Sequence, residues 1–423
     1  MLRTHRHSRS KGRKAALAGT FAVLAAALVA GFTQIAPSPT EAETVADGET
    51  VQTQQTGQWL TGYWHNFENG SGVMPLTEIP AEYNMVAVAF ADNHATLDGG
   101  ITFNLASSEL GGYTDAQFRS DIAAVQAQGR KVIISVGGEL GHVNVTNPTQ
   151  ARNFADTAHQ LMQDYGFDGV DIDLEHGINA QHMSDALHDL GSRVGPGLIV
   201  TMAPQTIDFQ SPDREYYKLA TDIADILTIV NMQYYNSGSM LGCDGQVYSQ
   251  GTPDFVAALA CIQLEMGLRP DQVGLGLPAV RSAAGGGYMA PSQVVRALDC
   301  LETGANCGSF SPQTPYGPIG GVMTWSINWD ATSGYAFANT VSARLDNPGG
   351  GGQPTEQPTE QPTEQPTQQP GECTASAWSS GSTYTQGDRV AHGGREYQAR
   401  WWTRGEEPGT TGEWGVWTDV GAC

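Results

Sequence analysis

Basic residues are scarce in this chain: lysine and arginine number 21 against 44 aspartates and glutamates, for a net charge of -23 with histidine neutral. Such a surface repels nucleic acid and anionic membranes, and leaves a neutral polymer as a plausible partner. Also missing is any Cys-x-x-Cys pair among the six cysteines, which argues against thiolate zinc and redox motifs. No Gly-x-Gly-x-x-Gly turn follows the first candidate strand, which weakens a nucleotide-binding open sheet. Long apolar runs are lacking too. The run Ala15–Ala30 has 16 residues, short for a membrane span.

What surrounds that run reads as an export signal. Arg3, Arg6, Arg9, Lys11, Arg13 and Lys14 precede it and small residues follow it. We therefore expect residues 1–36 to be removed, residues 37–56 to form a disordered lead-in, and the protein to be secreted, extracellular and free of the membrane. Removing 1–36 takes away six basic residues and no acid. An even cysteine count in an oxidising compartment implies disulfides. Proximity in sequence suggests Cys243–Cys261, Cys300–Cys307 and Cys373–Cys423. Nothing calls for a metal, an organic cofactor or an oligomer, so a monomer without cofactors is expected.

From Gln353 the chain repeats Gln-Pro-Thr-Glu, after the glycines 349–352. Proline at every fourth position blocks helix and sheet pairing, and no apolar residue is there to build a core. Residues 347–371 are thus a linker between a large domain, 57–346, and a small one, 372–423.

The large domain alternates apolar runs with amphipathic helical patterns. Strands are expected at Trp59–Trp64, Met85–Phe90, Lys131–Val136, Gly169–Leu174, Leu198–Met202, Ile226–Gln233, Val273–Leu277 and Gly321–Ser326. Helices are expected at Asp115–Gln128, Ala151–Tyr165 and Pro291–Glu302, among others. Near-continuous apolar strands indicate a parallel sheet covered by helices. Eight such units fit an α/β fold, a (β/α)8 TIM barrel, joined by the linker to a small all-β module.

The fourth strand carries chemistry. In Phe167-Asp168-Gly169-Val170-Asp171-Ile172-Asp173-Leu174-Glu175, alternation places Asp171, Asp173 and Glu175 on one face and Val170, Ile172 and Leu174 on the other. In a barrel the aliphatic face meets the helices and the acids point inward, with Glu175 at the C-terminal mouth, where barrel active sites form. Three stacked acids cannot all be ionised in a low-dielectric interior, so at least one should hold a proton near neutrality. A solvated edge strand would carry polar residues on its second face, which here is aliphatic. A metal site would need histidines pointing the same way, and His176 points opposite.

At these residues the chain resembles glycoside hydrolase family 18, the chitinase family. Its signature Asp-x-x-Asp-x-Asp-x-Glu is met by Asp168, Asp171, Asp173 and Glu175. Its Ser-x-Gly-Gly on strand three is met by Ser135-Val136-Gly137-Gly138. Its strand-six tyrosine falls in Gln233-Tyr234-Tyr235-Asn236, where Gln233 and Asn236 replace a more usual Met and Asp. Its strand-eight tryptophan falls in Met323-Thr324-Trp325-Ser326, and Gly62-Tyr63-Trp64 resembles its first strand. The family is an exception to two-carboxylate retention, since the substrate assists.

The resemblance implies Glu175 as general acid and base, and Asp173 as the partner of the substrate acetamido N–H. Asp171 would share a proton with Asp173, and Tyr235 would donate to the acetamido oxygen. Trp325 would stack beneath the sugar. It further implies sugar contacts at Tyr63, Gln233, Asn236 and Met202, and support from Asp168, Ser135, Gly137 and Gly138. The expected substrate is chitin and its oligosaccharides, cleaved with retention through an oxazolinium intermediate. The segment 280–318 leaves little room for the small domain that walls the cleft of some members, so an open groove and endo cleavage are expected. Other readings are an endo-β-N-acetylglucosaminidase acting on N-glycans, a non-catalytic chitin-binding lectin or adhesin, and a xylanase or cellulase.

The C-terminal part, with Trp378, Tyr384, Tyr397, Trp401, Trp402, Trp414 and Trp417, holds more large rings than so short a chain buries well. It resembles the chitin-binding modules of carbohydrate-binding families 5 and 12. That implies Trp401, Trp402 and Tyr384 as the chitin-binding residues, with Trp378, Trp414 and Trp417 in the core.

Overall fold

The computed structural model describes residues 57–347, residue 373 and residues 375–380, 382–384, 388–399, 403–404, 407–409 and 416–422. The expected signal, the lead-in, the linker repeats, Trp401, Trp402, Trp414 and Cys423 lie outside the described residues, and with Cys423 the expected Cys373–Cys423 bond.

Eight strands run in parallel: β1 Trp59–His65, β2 Met85–Asn93, β3 Lys131–Gly137, β4 Gly169–Asp173, β5 Ile199–Met202, β6 Ile229–Gln233, β7 Val273–Pro278 and β8 Gly321–Trp325. Each pairs with its sequence neighbours, and β1 also pairs with β8, so the sheet closes on itself as a TIM barrel. The strand β6 starts later than its apolar run. Residues 226 and 227 instead send their N–H groups to Ile223 O in a turn.

Eight helices surround the ring: α1 Asp115–Gln126, α2 Pro148–Tyr165, α3 Ala180–Val194, α4 Glu215–Asp222, α5 Pro253–Glu265, α6 Pro291–Thr303, α7 Ile327–Ala331 and α8 Ala336–Leu345. Helix α2 shows how the sequence specifies them. Asn147 caps it by accepting from the N–H groups of Thr149 and Gln150, Pro148 takes the first position, and Gly166 ends it in the left-handed conformation. Its buried residues Ala151, Phe154, Ala155, Ala158, Leu161 and Met162 recur at helical spacing.

Strand parity divides the core in two. Val170, Ile172 and Leu174 belong to the large cluster between sheet and helices. Tyr63, Ala87, Ile133, Ala203 and Met323 form a smaller cluster inside the barrel. Burying each aliphatic side chain of the outer layer stabilises the fold by about 1.5–3 kcal/mol.

The two ends of the barrel domain are tied at one carboxylate. Arg344 on α8 donates to Asp299 Oδ1 (2.6 Å) and Glu302 Oε2 (2.7 Å) on α6. Glu302 Oε1 in turn accepts from Gln58 Nε2 (2.6 Å), next to β1, and from Ile319 N (3.1 Å), ahead of β8. Disulfides join Cys243 to Cys261 and Cys300 to Cys307.

In the C-terminal part, Arg389–His392, Arg395–Ala399 and Trp417–Ala422 form an antiparallel sheet, and Thr383–Tyr384 pairs with Thr403–Arg404. Val390, Tyr397, Ala399, Val416 and Trp417 are buried together, with Trp378 and Tyr384 half-buried against them. The Tyr384 ring meets Trp417 edge-on at 5.2 Å, and its hydroxyl accepts from Ser379 N at 2.8 Å.

Candidate active site

Asp171, Asp173 and Glu175 meet three hydroxyls, from β1, β3 and β5, and two amides, from β6 and the turn after β5. Asp171 is 1 % exposed. Its Oδ2 accepts from Tyr63 Oη and Ser135 Oγ, and its Oδ1 from Thr201 Oγ1, each at 2.6 Å. Ser135 and Thr201 stand directly beside Asp171 in the register of β3 and β5. Burial raises the Asp171 carboxyl, and the three donors oppose the rise. A carboxyl that accepts three times from hydroxyls is suited to the ionised form.

Asp173 lies one step nearer the mouth and accepts from Gln233 Nε2 at 2.9 Å. Burial first, then the charges of Asp171 and Glu175, push it well above the ordinary carboxylate range. Of the two buried acids, Asp173 is the one poised to hold a proton. No hydrogen bond joins Asp171 to Asp173 among the described residues. Glu175 follows at the rim. Burial raises its carboxyl, against the Gln233 amide, which favours the ionised form, and with help from Glu139. Gln233 Nε2 lies 3.4 Å from Oε1 and Gln205 Nε2 3.5 Å from Oε2.

The Tyr235 hydroxyl, after β6, has no protein acceptor among the described residues, and burial and the three acids keep it protonated. Trp325 is half-buried at the end of β8. Its ring stacks on Phe90 at 5.8 Å and 16° and stands 4.8 Å from the ring of His65. Gly138 N donates to Asp173 O at 2.7 Å. Gly137 has φ +113 and faces the same carbonyl so closely that a Cβ has no room. The second of the paired glycines, Gly138, abuts the Phe90 ring.

Residues 60–348 match the sequence profile of glycosyl hydrolases family 18. The chain belongs to that family. Residues 377–418 match carbohydrate-binding module family 5/12. Among curated relatives, chitinase D of Niallia circulans is 35% identical over 335 residues, 70% of this chain and 63% of that protein. Chitinase Chi52 of Paenibacillus xylanexedens is 34% identical over 334 residues, with the same two coverages, 70% and 63%. The chain thus spans less than two thirds of the length of these relatives. A solved structure from Streptomyces coelicolor, named as a candidate chitinase A, is 57% identical with a TM-score of 0.67, covering 68% of this chain and 98% of that one. A family 18 chitinase structure from Chromobacterium violaceum is 35% identical with a TM-score of 0.64, covering 68% and 83%.

Within this family 18 barrel, Asp171, Asp173 and Glu175 share one face, and Asp168 stands apart from them. Asp168 sits at the opposite end of β4 from the mouth. It accepts from Lys131 Nζ (3.0 Å), Gln126 Nε2 (2.8 Å) and Val132 N (2.9 Å), a structural pin remote from the chemistry. Two expected sugar contacts are corrected. Met202 is fully buried in the layer between sheet and helices, beside Ile172 in register. Tyr63 is 2 % exposed inside the barrel, with its hydroxyl given to Asp171. Gln233 is also buried, and its amide donates to Asp173 and to Ala203 O (2.9 Å). Asn236 is exposed and left-handed, and accepts from Gly286 N at 3.1 Å, fixing the loop after β7.

Thr201, Gln205 and Tyr216 were not singled out in the sequence. Tyr216 of α4 accepts from Leu174 N at 2.7 Å and so holds the backbone just before Glu175. Thr201 had a readable signal, being a polar residue at an inward position of an apolar strand. Gln205 and Tyr216 had none, because a loop and a helix bring them in.

Proposed function

We propose that this protein is a secreted chitinase that hydrolyses β-1,4-linked N-acetylglucosamine polymers with retention of configuration. The observation that carries the proposal is the graded stack Asp171, Asp173, Glu175, with the innermost acid fully donated to and the next held by a single amide. Glu175 protonates the glycosidic oxygen. The substrate acetamido oxygen then attacks the anomeric carbon, the bond to the leaving sugar breaks, and an oxazolinium forms. Water opens that ring as Glu175 takes the proton back. Asp173 passes its proton to Asp171 as the sugar binds, then accepts from the acetamido N–H, and its charge balances the cation that develops. The Tyr235 hydroxyl is free to donate to the acetamido oxygen, and Trp325 supplies a flat apolar floor.

The names of the similar proteins and the module match support the substrate class. The segment between β7 and β8 holds α6 and the short turn Arg281–Ala283 and no strand, which supports an open groove and endo cleavage. The module would concentrate the barrel on insoluble polymer through the linker.

The test is hydrolysis of colloidal chitin by wild type and Glu175→Gln, with anomers resolved. Fresh β-anomer from wild type, with a loss of about 10³-fold or more in the variant, is expected. Binding without hydrolysis by wild type would leave a lectin. Cleavage of cellulose or fully deacetylated chitosan would sink the substrate-assisted mechanism.

A further inference from the structure

Glu175 is flanked by two glutamines, one on each carboxylate oxygen. An amide nitrogen has two hydrogens to give. Gln233 has directed both to closer acceptors, Asp173 Oδ1 and Ala203 O, each at 2.9 Å. Its 3.4 Å approach to Oε1 can only share a hydrogen already given to a closer acceptor. Gln205 has no competing acceptor for its side-chain amide among the described residues.

Its backbone is also fixed. Gln205 N donates to Asp208 Oδ2 at 3.0 Å, and Gln205 bridges to Gln233 beyond the end of β5. Proline precedes it, and Pro204 O accepts from Gln233 N at 2.9 Å. The side chain thus starts from an ordered backbone and presents its N–H to Glu175.

We infer that Gln205 is a positioning residue for Glu175: its N–H holds Oε2, so that Oε1, on the side of Asp173, is the oxygen that exchanges the proton. The inference rests on the role of Glu175 proposed above. When the proton leaves Oε1 for the glycosidic oxygen, the carboxylate charge forms with a donor already in place on Oε2. The separation is 3.5 Å, and catalytic hydrogen bonds are often long until substrate tightens them.

The other ionisable groups facing Glu175 are Asp173 on its own strand, Glu139 after β3, Asp208 after β5, Tyr235 after β6 and His176, the next residue. None of them is itself replaced when Gln205 alone is changed.

The experiment compares full-length wild type, Gln205→Leu and Gln205→Glu on a soluble chitooligosaccharide across pH. For Gln205→Leu, kcat falls about tenfold with KM within about twofold. The alkaline limb of kcat/KM moves to higher pH, because a carboxyl that loses a donor keeps its proton longer. Gln205→Glu moves it further the same way by adding negative charge. Should the Leu variant fail to fold, the Glu variant carries the same readout. An unmoved limb in a folded variant, or a raised KM with unchanged kcat, would overturn the inference. An inactive wild type would strike the proposed function instead.

Discussion

The Tyr63 hydroxyl and the Ser135 hydroxyl donate to the same oxygen, Asp171 Oδ2, each at 2.6 Å, from strands β1 and β3. The buried charge at the base of the site is thus held by groups that are not adjacent in sequence.

Tyr63→Phe removes one of these donors and leaves the ring's packing. The expected loss is about 1.5–3 kcal/mol, the range for a hydrogen bond to a charged group. Ser135→Ala acts on the same oxygen, so the double variant should depart from additivity. Thermal or denaturant melts of the two single variants and the double measure this, and strict additivity would mean the two donors act independently.

Asp173→Asn separates stability from activity. The folded Asp173 carboxyl is raised well above its ordinary value. Such a group favours the fold below its unfolded pKa, and that contribution is lost as pH rises through the folded pKa. Asparagine carries no charge to bury, so the variant should gain melting temperature relative to wild type as pH rises, roughly 2–4 °C per kcal/mol. Chitin hydrolysis should fall about 10²–10³-fold. A difference in melting temperature that does not change with pH would contradict the raised carboxyl.

Asp168→Ala tests the signature residue at the far end of β4. It strips the Val132 N–H of its side-chain acceptor, leaves the Gln126 amide with Gly166 O alone, and should cost about 1–3 kcal/mol. Because Asp168 lies away from the mouth, kcat and its pH profile on chitooligosaccharide should remain those of wild type. A shifted profile would place Asp168 in the working site after all.

Much of the barrel could be read from the chain because strand periodicity is two and the hydrophobic layer is strict. Val170, Ile172 and Leu174 leave only one way for Asp171, Asp173 and Glu175 to face. What could not be read arises from register between strands and from loops. Thr201 reaches Asp171 because β4 and β5 align at that step, and Gln205 reaches Glu175 because a turn follows β5. Motif matching erred for a related reason. It places Met202 and Tyr63 near the site without saying that one faces outward and the other is enclosed.

Glu302 has a consequence for how the chain can be rearranged. Gln58 and Arg344, near opposite ends of the barrel domain, meet on its one carboxylate. The ring is therefore locked at the point where it begins and ends. A cut beyond Asn347 leaves the lock whole, and a cut two turns earlier on α8 breaks it. The described residues past that point take no part in the lock.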